Sequence, residues 1–251
     1  MIAQCAPAID NRTIKKIGHI TPSTNTTMEP LTTLLGQLAR VPVSQHFARV
    51  SVQRLALDAA ADRQFSESGM LAAAHLLAEA PLDLLCWNGT SGSWRGLAGD
   101  VALVERIEAE TGIPALTSGL AILETFRRHG WTRIGLAVPY TDDITASIVA
   151  EYARHGLEVV ATANLGEESN IAFGNTPAAA IRELLVAAAR NAPDCIAVVC
   201  TNVPAISLTA PFEAEFGIPI VDSIAVTFVE ACRRCGLDPR IAGLGHVLAG
   251  E

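Results

Sequence analysis

Two pairs of apolar runs, each stopping at small hydroxyl or amide residues, recur in the same order along this chain. Ile17-Gly18-His19-Ile20-Thr21-Pro22-Ser23-Thr24-Asn25 is matched by Ile134-Gly135-Leu136-Ala137-Val138-Pro139-Tyr140-Thr141-Asp142. Cys86-Trp87-Asn88-Gly89-Thr90-Ser91 is matched by Ala197-Val198-Val199-Cys200-Thr201-Asn202. A duplicated unit of this kind restricts the fold to two similar halves. It also predicts that equivalent strand ends face each other, with Cys200 opposite Gly89.

The segments between these runs have helical spacing. Strands are expected over 14–21, 42–52, 82–87 and 112–116, with helices over 26–38, 62–80, 99–111 and 120–129. The second half repeats the order. Strands are expected over 133–138, 158–164, 195–200 and 217–221, and helices over 143–155, 176–191 and 223–235, the segment 211–216 leading into the last strand. Short, almost wholly apolar strands alternating with helices predict parallel sheets covered on both faces. The fold class is α/β: two pseudo-symmetric, Rossmann-like halves, each a parallel four-stranded sheet flanked by helices. The division expected is 14–118 plus 223–251 for the first half and 119–222 for the second. In open α/β sheets, ligands bind beyond the carboxyl ends of the strands. The repeated polar motifs sit there, so the site belongs in the cleft between the halves.

The formal charge of −8 over 251 residues opposes a nucleic-acid surface. The start lacks an export signal, and no run approaches the length needed to cross a bilayer. A cytoplasmic location, away from membranes, is expected, with the six cysteines as reduced thiols. Cys232-Arg233-Arg234-Cys235 has the spacing of half a zinc site, but no second ligand pair accompanies it. No GxGxxG or GxxxxGK[ST] loop is present, and the histidines are scattered. Neither a cofactor nor a metal is expected. Proteins of this class often dimerise, but no apolar stripe singles out an interface, so a homo-oligomer stays open.

The candidate site residues are Ser23, Asn25, Gly89, Thr90, Ser91, Tyr140, Asn170, Cys200, Thr201 and Asn202. Nearly all are neutral donors, which suit a small carboxylate and the negative charge of an enediolate. Cys200 alone among them is both a nucleophile and a proton carrier, and a strand end beside a helix start is expected to lower its pKa. The competing structural readings are a small buried hydrophobe for Cys200, a helix cap for Asn25, a turn residue for Tyr140 and helix caps for Thr90 and Ser91.

The whole chain resembles the aspartate/glutamate racemase superfamily, in the branch holding maleate isomerases and arylmalonate decarboxylases. Pro22-Ser23-Thr24-Asn25-Thr26-Thr27-Met28-Glu29 is similar to the isomerase N-terminal motif. There the Asn binds a substrate carboxylate, a role the resemblance carries to Asn25. Ser169-Asn170 resembles a second carboxylate-binding Asn, and Tyr140 matches a Tyr used by both groups. Isomerases and racemases carry a cysteine in each half, whereas Gly89-Thr90-Ser91 with Trp94-Arg95-Gly96 resembles the decarboxylases. In these the Thr and Ser bind the carboxylate that becomes an enediolate, and the second-half Cys protonates it. Thr201-Asn202 departs from the Gly-Gly that follows that Cys in the decarboxylases. The resemblance thus implies a cofactor-independent lyase decarboxylating a malonate-like acid, with Cys200 as proton donor. A maleate-type isomerase or an Asp/Glu-type racemase is the alternative. A non-catalytic intracellular carboxylate-binding protein is the reading outside enzymology. The 166–176 loop is a candidate lid.

Overall fold

The computed structural model describes residues 11–250. In chain order the elements are β1 (Lys15–Pro22), α1 (Met28–Ala39), β2 (Val43–Val50), α2 (Ala59–Asp62), α3 (Glu67–Ala78), β3 (Leu84–Trp87), α4 (Gly92–Arg95), α5 (Leu97–Thr111), β4 (Ala115–Thr117) and α6 (Ser118–His129). They continue with β5 (Arg133–Val138), α7 (Asp142–Arg154), β6 (Glu158–Asn164), α8 (Asn170–Gly174), α9 (Ala178–Ala188), β7 (Cys195–Val198), α10 (Ile206–Phe216), β8 (Ile220–Asp222), α11 (Ser223–Arg234) and α12 (His246–Ala249). The strands form two four-stranded sheets in the orders β2-β1-β3-β4 and β6-β5-β7-β8, and all six pairings are parallel. The two sheets therefore share one topology, as the repeated motifs require.

The repeated Ile-Gly of the two opening strands has a packing cause. At Gly135 a Cβ would stand 2.2 Å from the Ala188 carbonyl oxygen, so α9 rests directly on the backbone of β5. At Gly18 it would meet the Leu82 and Leu85 side chains at 2.6 and 2.7 Å. Each sheet thus carries a glycine where a neighbour presses on its opening strand. The central strands β3 and β7 are wholly buried, in keeping with their unbroken apolar sequence. The equivalent helices α6 and α11 pack on each other. Thr227 Oγ1 of α11 lies 2.9 Å from Ser118 Oγ, and Arg234 reaches back to the Ala115 carbonyl at 2.8 Å.

The structure departs from the sequence reading in several places. The helix expected over 62–80 is interrupted. Asp58 caps α2 through the Ala60 and Ala61 amides, a 3₁₀ turn spans Arg63–Phe65, and Ser66 is extended (φ −65°, ψ 133°) before α3. Phe65 and Met70 are both buried, so the apolar periodicity runs across the break and hides it. The segment 211–216 is the end of the longer helix α10, with Pro211 inside it. Proline there forfeits one intrahelical bond, and exposure of Ser207 lets water take up the freed carbonyl. The strand expected to reach Cys200 stops at Val198. Short helices α4, α8 and α12 occupy stretches without long periodicity.

The two glycines separate on substitution. Gly135→Ala drives a methyl into a backbone carbonyl, an overpacking change typically costing about 1–3 kcal/mol. Gly18→Ala meets only side-chain ends and is expected to cost less. Urea unfolding of both variants measures the difference.

Candidate active site

In a sheet ordered 2-1-3-4, connections leave the first and third strands in opposite directions and open a crevice at their carboxyl ends. Here that rule selects the ends of β1 and β3 in one sheet and of β5 and β7 in the other. These are the four repeated motifs, and they surround one cavity.

The cavity encloses about 20 Å³. Gly89, Thr90, Ser91, Tyr140, Asn170, Cys200 and Thr201 border it, so the structure brings seven of the ten candidate residues together. The volume suffices for about one water molecule, so a dicarboxylate enters only if a wall moves. Thr90 Oγ1 and Tyr140 Oη are 3.1 Å apart, joining the Gly89-Thr90-Ser91 loop of one half to the second half. The remaining three candidates stand behind the wall. Ser23 Oγ accepts from the Val52 amide at 3.2 Å. Asn25 Oδ1 accepts from the Thr27 and Met28 amides at 3.0 and 2.9 Å, and so satisfies the amides that lead into α1. Its Nδ2 donates to the carbonyl and hydroxyl oxygens of Thr201, both at 3.1 Å. Asn202 Oδ1 accepts from the Thr26 and Thr27 amides, and its Nδ2 donates to the Asn170 carbonyl at 2.5 Å. Thr201 Oγ1 donates to the Asn88 carbonyl at 2.9 Å. Asn25 and Asn202 are each only 1% exposed, so these bonds form a buried polar seam between the halves.

Cys200 is held from behind. Its amide donates to Ser223 Oγ at 3.1 Å, and that hydroxyl donates to the Val198 carbonyl at 2.5 Å. The Asn202 amide points at its sulfur at 3.4 Å. The expected lowering of its pKa is corrected by the structure. Burial pushes the thiol up to about 11, against the opposing pull of the Asn202 amide, the Tyr140 hydroxyl and the Val203 amide. The turn amides are present, but removal from water outweighs them. Burial likewise holds Tyr140 well above its ordinary value. At neutral pH the site therefore presents a protonated thiol and a protonated phenol.

The other thiols lie elsewhere. Cys86 is inside β3, and burial raises its pKa. Cys232 and Cys235, at the end of α11, are likewise raised by burial, to about 12 and about 11. Among the described residues no group of three or more His, Cys, Asp or Glu is placed to hold a metal, and no helix is long and apolar enough to cross a membrane.

Several site features escaped the sequence reading. Trp87 lies under Gly89, whose Cβ would stand 2.2 Å from the indole. Val52, Leu55 and Phe65, from the irregular stretch between β2 and α3, close one side of the cavity together with Trp94. That stretch is clipped to the second half. The Asn170 amide donates to the Gln53 carbonyl at 3.0 Å and the Leu55 amide to the Glu168 carbonyl at 2.9 Å. The 166–176 loop thus reaches the cavity through Asn170 and is clipped to a first-half partner. Ser223 could have been found by aligning the halves, since Thr117-Ser118 and Asp222-Ser223 both start a helix directly from a strand end.

Residues 32–248 match the family model described as arylmalonate decarboxylase. Arylmalonate decarboxylase of Bordetella bronchiseptica is 31% identical over 151 residues, spanning 59% of this chain and 63% of that protein. Maleate isomerase of Alcaligenes faecalis is 23% identical over 94% of this chain and 96% of its own length. The crystal structure of the maleate isomerase Iso from Pseudomonas putida superposes with a TM-score of 0.86 at 20% identity, covering 94% of this chain and 99% of that one. That likeness shows the fold.

Two buried carboxyls near the site set a pH dependence of stability. Burial raises Asp222, which caps α11, and Asp100, which accepts from Thr117 Oγ1 at 2.5 Å, from 3.8 to about 7. Each holds its proton more firmly folded than unfolded, so its contribution is whole below about pH 3.8 and is lost as pH rises through about 7. Asp222→Asn keeps the cap and removes one of these titrations. The fall in stability between pH 4 and 7, followed by urea midpoints, should be shallower in the variant by roughly 1 kcal/mol or more.

Proposed function

The chain belongs to the arylmalonate decarboxylase family, and from that membership and the site geometry we propose that it is a cofactor-independent decarboxylase of malonate-like acids. The observation that carries this reading is a single protonated thiol at the cavity, Cys200, with no side chain at position 89 and an indole beneath it. Decarboxylation requires one proton donor. Two-base racemisation requires an acid and a base on opposite faces, and position 89 offers neither.

One carboxylate leaves as CO₂, and the pair of electrons from the broken C–C bond moves into the remaining carboxylate, forming an enediolate. Thr90, Ser91 and Tyr140 donate to its oxygens. A buried site strengthens those bonds, and removing one such donor typically costs 10²–10³ in kcat. The Cys200 S–H bond then breaks, its proton goes to the α-carbon, and solvent reprotonates the thiolate. A thiol raised to about 11 is loaded for this step across the neutral range. Asn170 and Thr201 complete the carboxylate site from the cavity wall. Ser23, Asn25 and Asn202 serve by holding that wall rather than by touching substrate.

Maleate-type isomerisation is the second reading. It is favoured by the extent of the match to the Alcaligenes isomerase, which spans 94% of this chain, and it would need Cys200 to act as the sole nucleophile.

Proton NMR in D₂O separates the two. With phenylmalonate, loss of CO₂ and incorporation of one deuteron at the α-carbon are expected, with one enantiomer in excess because one thiol serves one face. Cys200→Ala should lower the rate about 10²–10⁴-fold, and Thr90→Val about 10²-fold or more. Conversion of maleate to fumarate without activity on malonates would replace this reading by the second. Undiminished decarboxylation in Cys200→Ala would remove the thiol from the mechanism.

A further inference from the structure

Beside the reaction cavity lies a much larger pocket of about 490 Å³, and the two share Phe65, Trp87 and Ser91 in their linings. A third pocket, of about 340 Å³, shares Phe65 and Trp94 with the reaction cavity. Phe65 borders all three. It is the last residue of the 3₁₀ turn before Ser66, in the stretch joining α2 to α3. The ring is held on two sides: Trp94 meets it edge-on at 6.2 Å between centroids, and the Arg95 guanidinium lies 5.1 Å above it. Arg95 is in turn fixed by Asp62 at 2.7 Å. Trp94 also leans on the catalytic candidate Tyr140, with centroids 4.9 Å apart.

We propose that Phe65 is a specificity-determining residue: its ring is the partition between the reaction cavity and the 490 Å³ pocket, and that pocket is the chamber that receives the substrate's α-substituent. The inference rests on the decarboxylase reading for the chemistry, but not for the shape of the cavity. Three observations support it. The reaction cavity holds about 20 Å³, too little for any α-substituent. Its polar walls are tied down: Thr90 to Tyr140, Cys200 to Ser223, and Thr201 to Asn25 and Asn88. The backbone turn of Phe65 is fixed by the Gln64 side chain, but its ring makes packing contacts only, so a rotation of that one side chain is the movement that joins the cavities. The chamber has apolar lining in Phe65, Trp87, Met70 and Leu103, the buried Asp100 on the same wall, and the exposed Arg63, Glu67 and Arg95 toward solvent. That chemistry suits a planar aromatic substituent with its far edge toward water. The size of the ring at 65 then sets how bulky a substituent is accepted, and hydrophobic pockets discriminate about 10–200-fold per methylene-sized change.

The test compares 2-naphthylmalonate with methylmalonate, taking the ratio of kcat/KM values in each protein. Phe65→Ala should raise the naphthyl-to-methyl ratio at least tenfold. Phe65→Trp should lower it. Ala102→Phe, which fills the chamber from α5, should lower it without altering the partition. Ratios within twofold of the unsubstituted protein in all three variants would overturn the proposal, as would a fall in Phe65→Ala. Circular dichroism and the urea midpoint show whether Phe65→Ala is folded. If it is not, Phe65→Leu takes its place with the same expectation. Affinity for the same two malonates is also titrated by fluorescence, since Trp87 and Trp94 border the cavity. Absence of turnover in the unsubstituted protein would count against the decarboxylase reading alone. The partition then stands or falls on whether Phe65→Ala shifts the ratio of dissociation constants, and absence of saturable binding to either protein would overturn it.

Discussion

The two halves are held in register by hydrogen bonds that reach from Thr201 and Asn202 into the first half. These residues bond to Asn25, Thr26, Thr27 and Asn88, all within the loops that follow β1 and β3. A buried amide left without partners costs about 1–3 kcal/mol, so the seam is favourable only while every member is satisfied. Satisfaction fixes the relative position of the halves to within hydrogen-bond tolerance, and the reaction cavity is bounded by the same loops. A seam of apolar contacts would tolerate sliding. A polar one specifies a single alignment.

That alignment dictates the protonation of the site. Closing loops from both halves over Cys200 removes it from water, and desolvation dominates its pKa. The arrangement suits a proton donor and opposes a nucleophile, which would need stable thiolate at neutral pH. His19 shows the same effect in a structural role. Burial lowers it to about 4, and the neutral ring links Gln45 of β2 to Asn88, at 2.5 and 2.9 Å. The loop carrying Gly89 and Thr90 is thereby supported from beneath by an uncharged network.

The parallel strands and the cavity between them were legible because apolar runs with a shared Ile-Gly opening occur twice, and both glycines answer to pressure on the opening strand of a sheet. The four loops at the cavity followed from strand order alone. The division of labour among the amides was not legible. Asn25, Asn170 and Asn202 look alike in sequence, yet only Asn170 borders the cavity, and which one faces it depends on partners up to 176 residues distant. The direction of the Cys200 shift was also hidden, because turn amides are local whereas burial is a property of the whole fold. The break before α3 was masked by an apolar stripe that crosses it.

The indole beneath Gly89 has a consequence for descent. A cysteine at position 89 collides with Trp87 unless that residue changes as well, and Trp87 is a fully buried part of the core. A second thiol at position 89 of this chain therefore asks for a concerted change at position 87. Either replacement alone leaves a crowded or hollowed core, and only the pair restores packing.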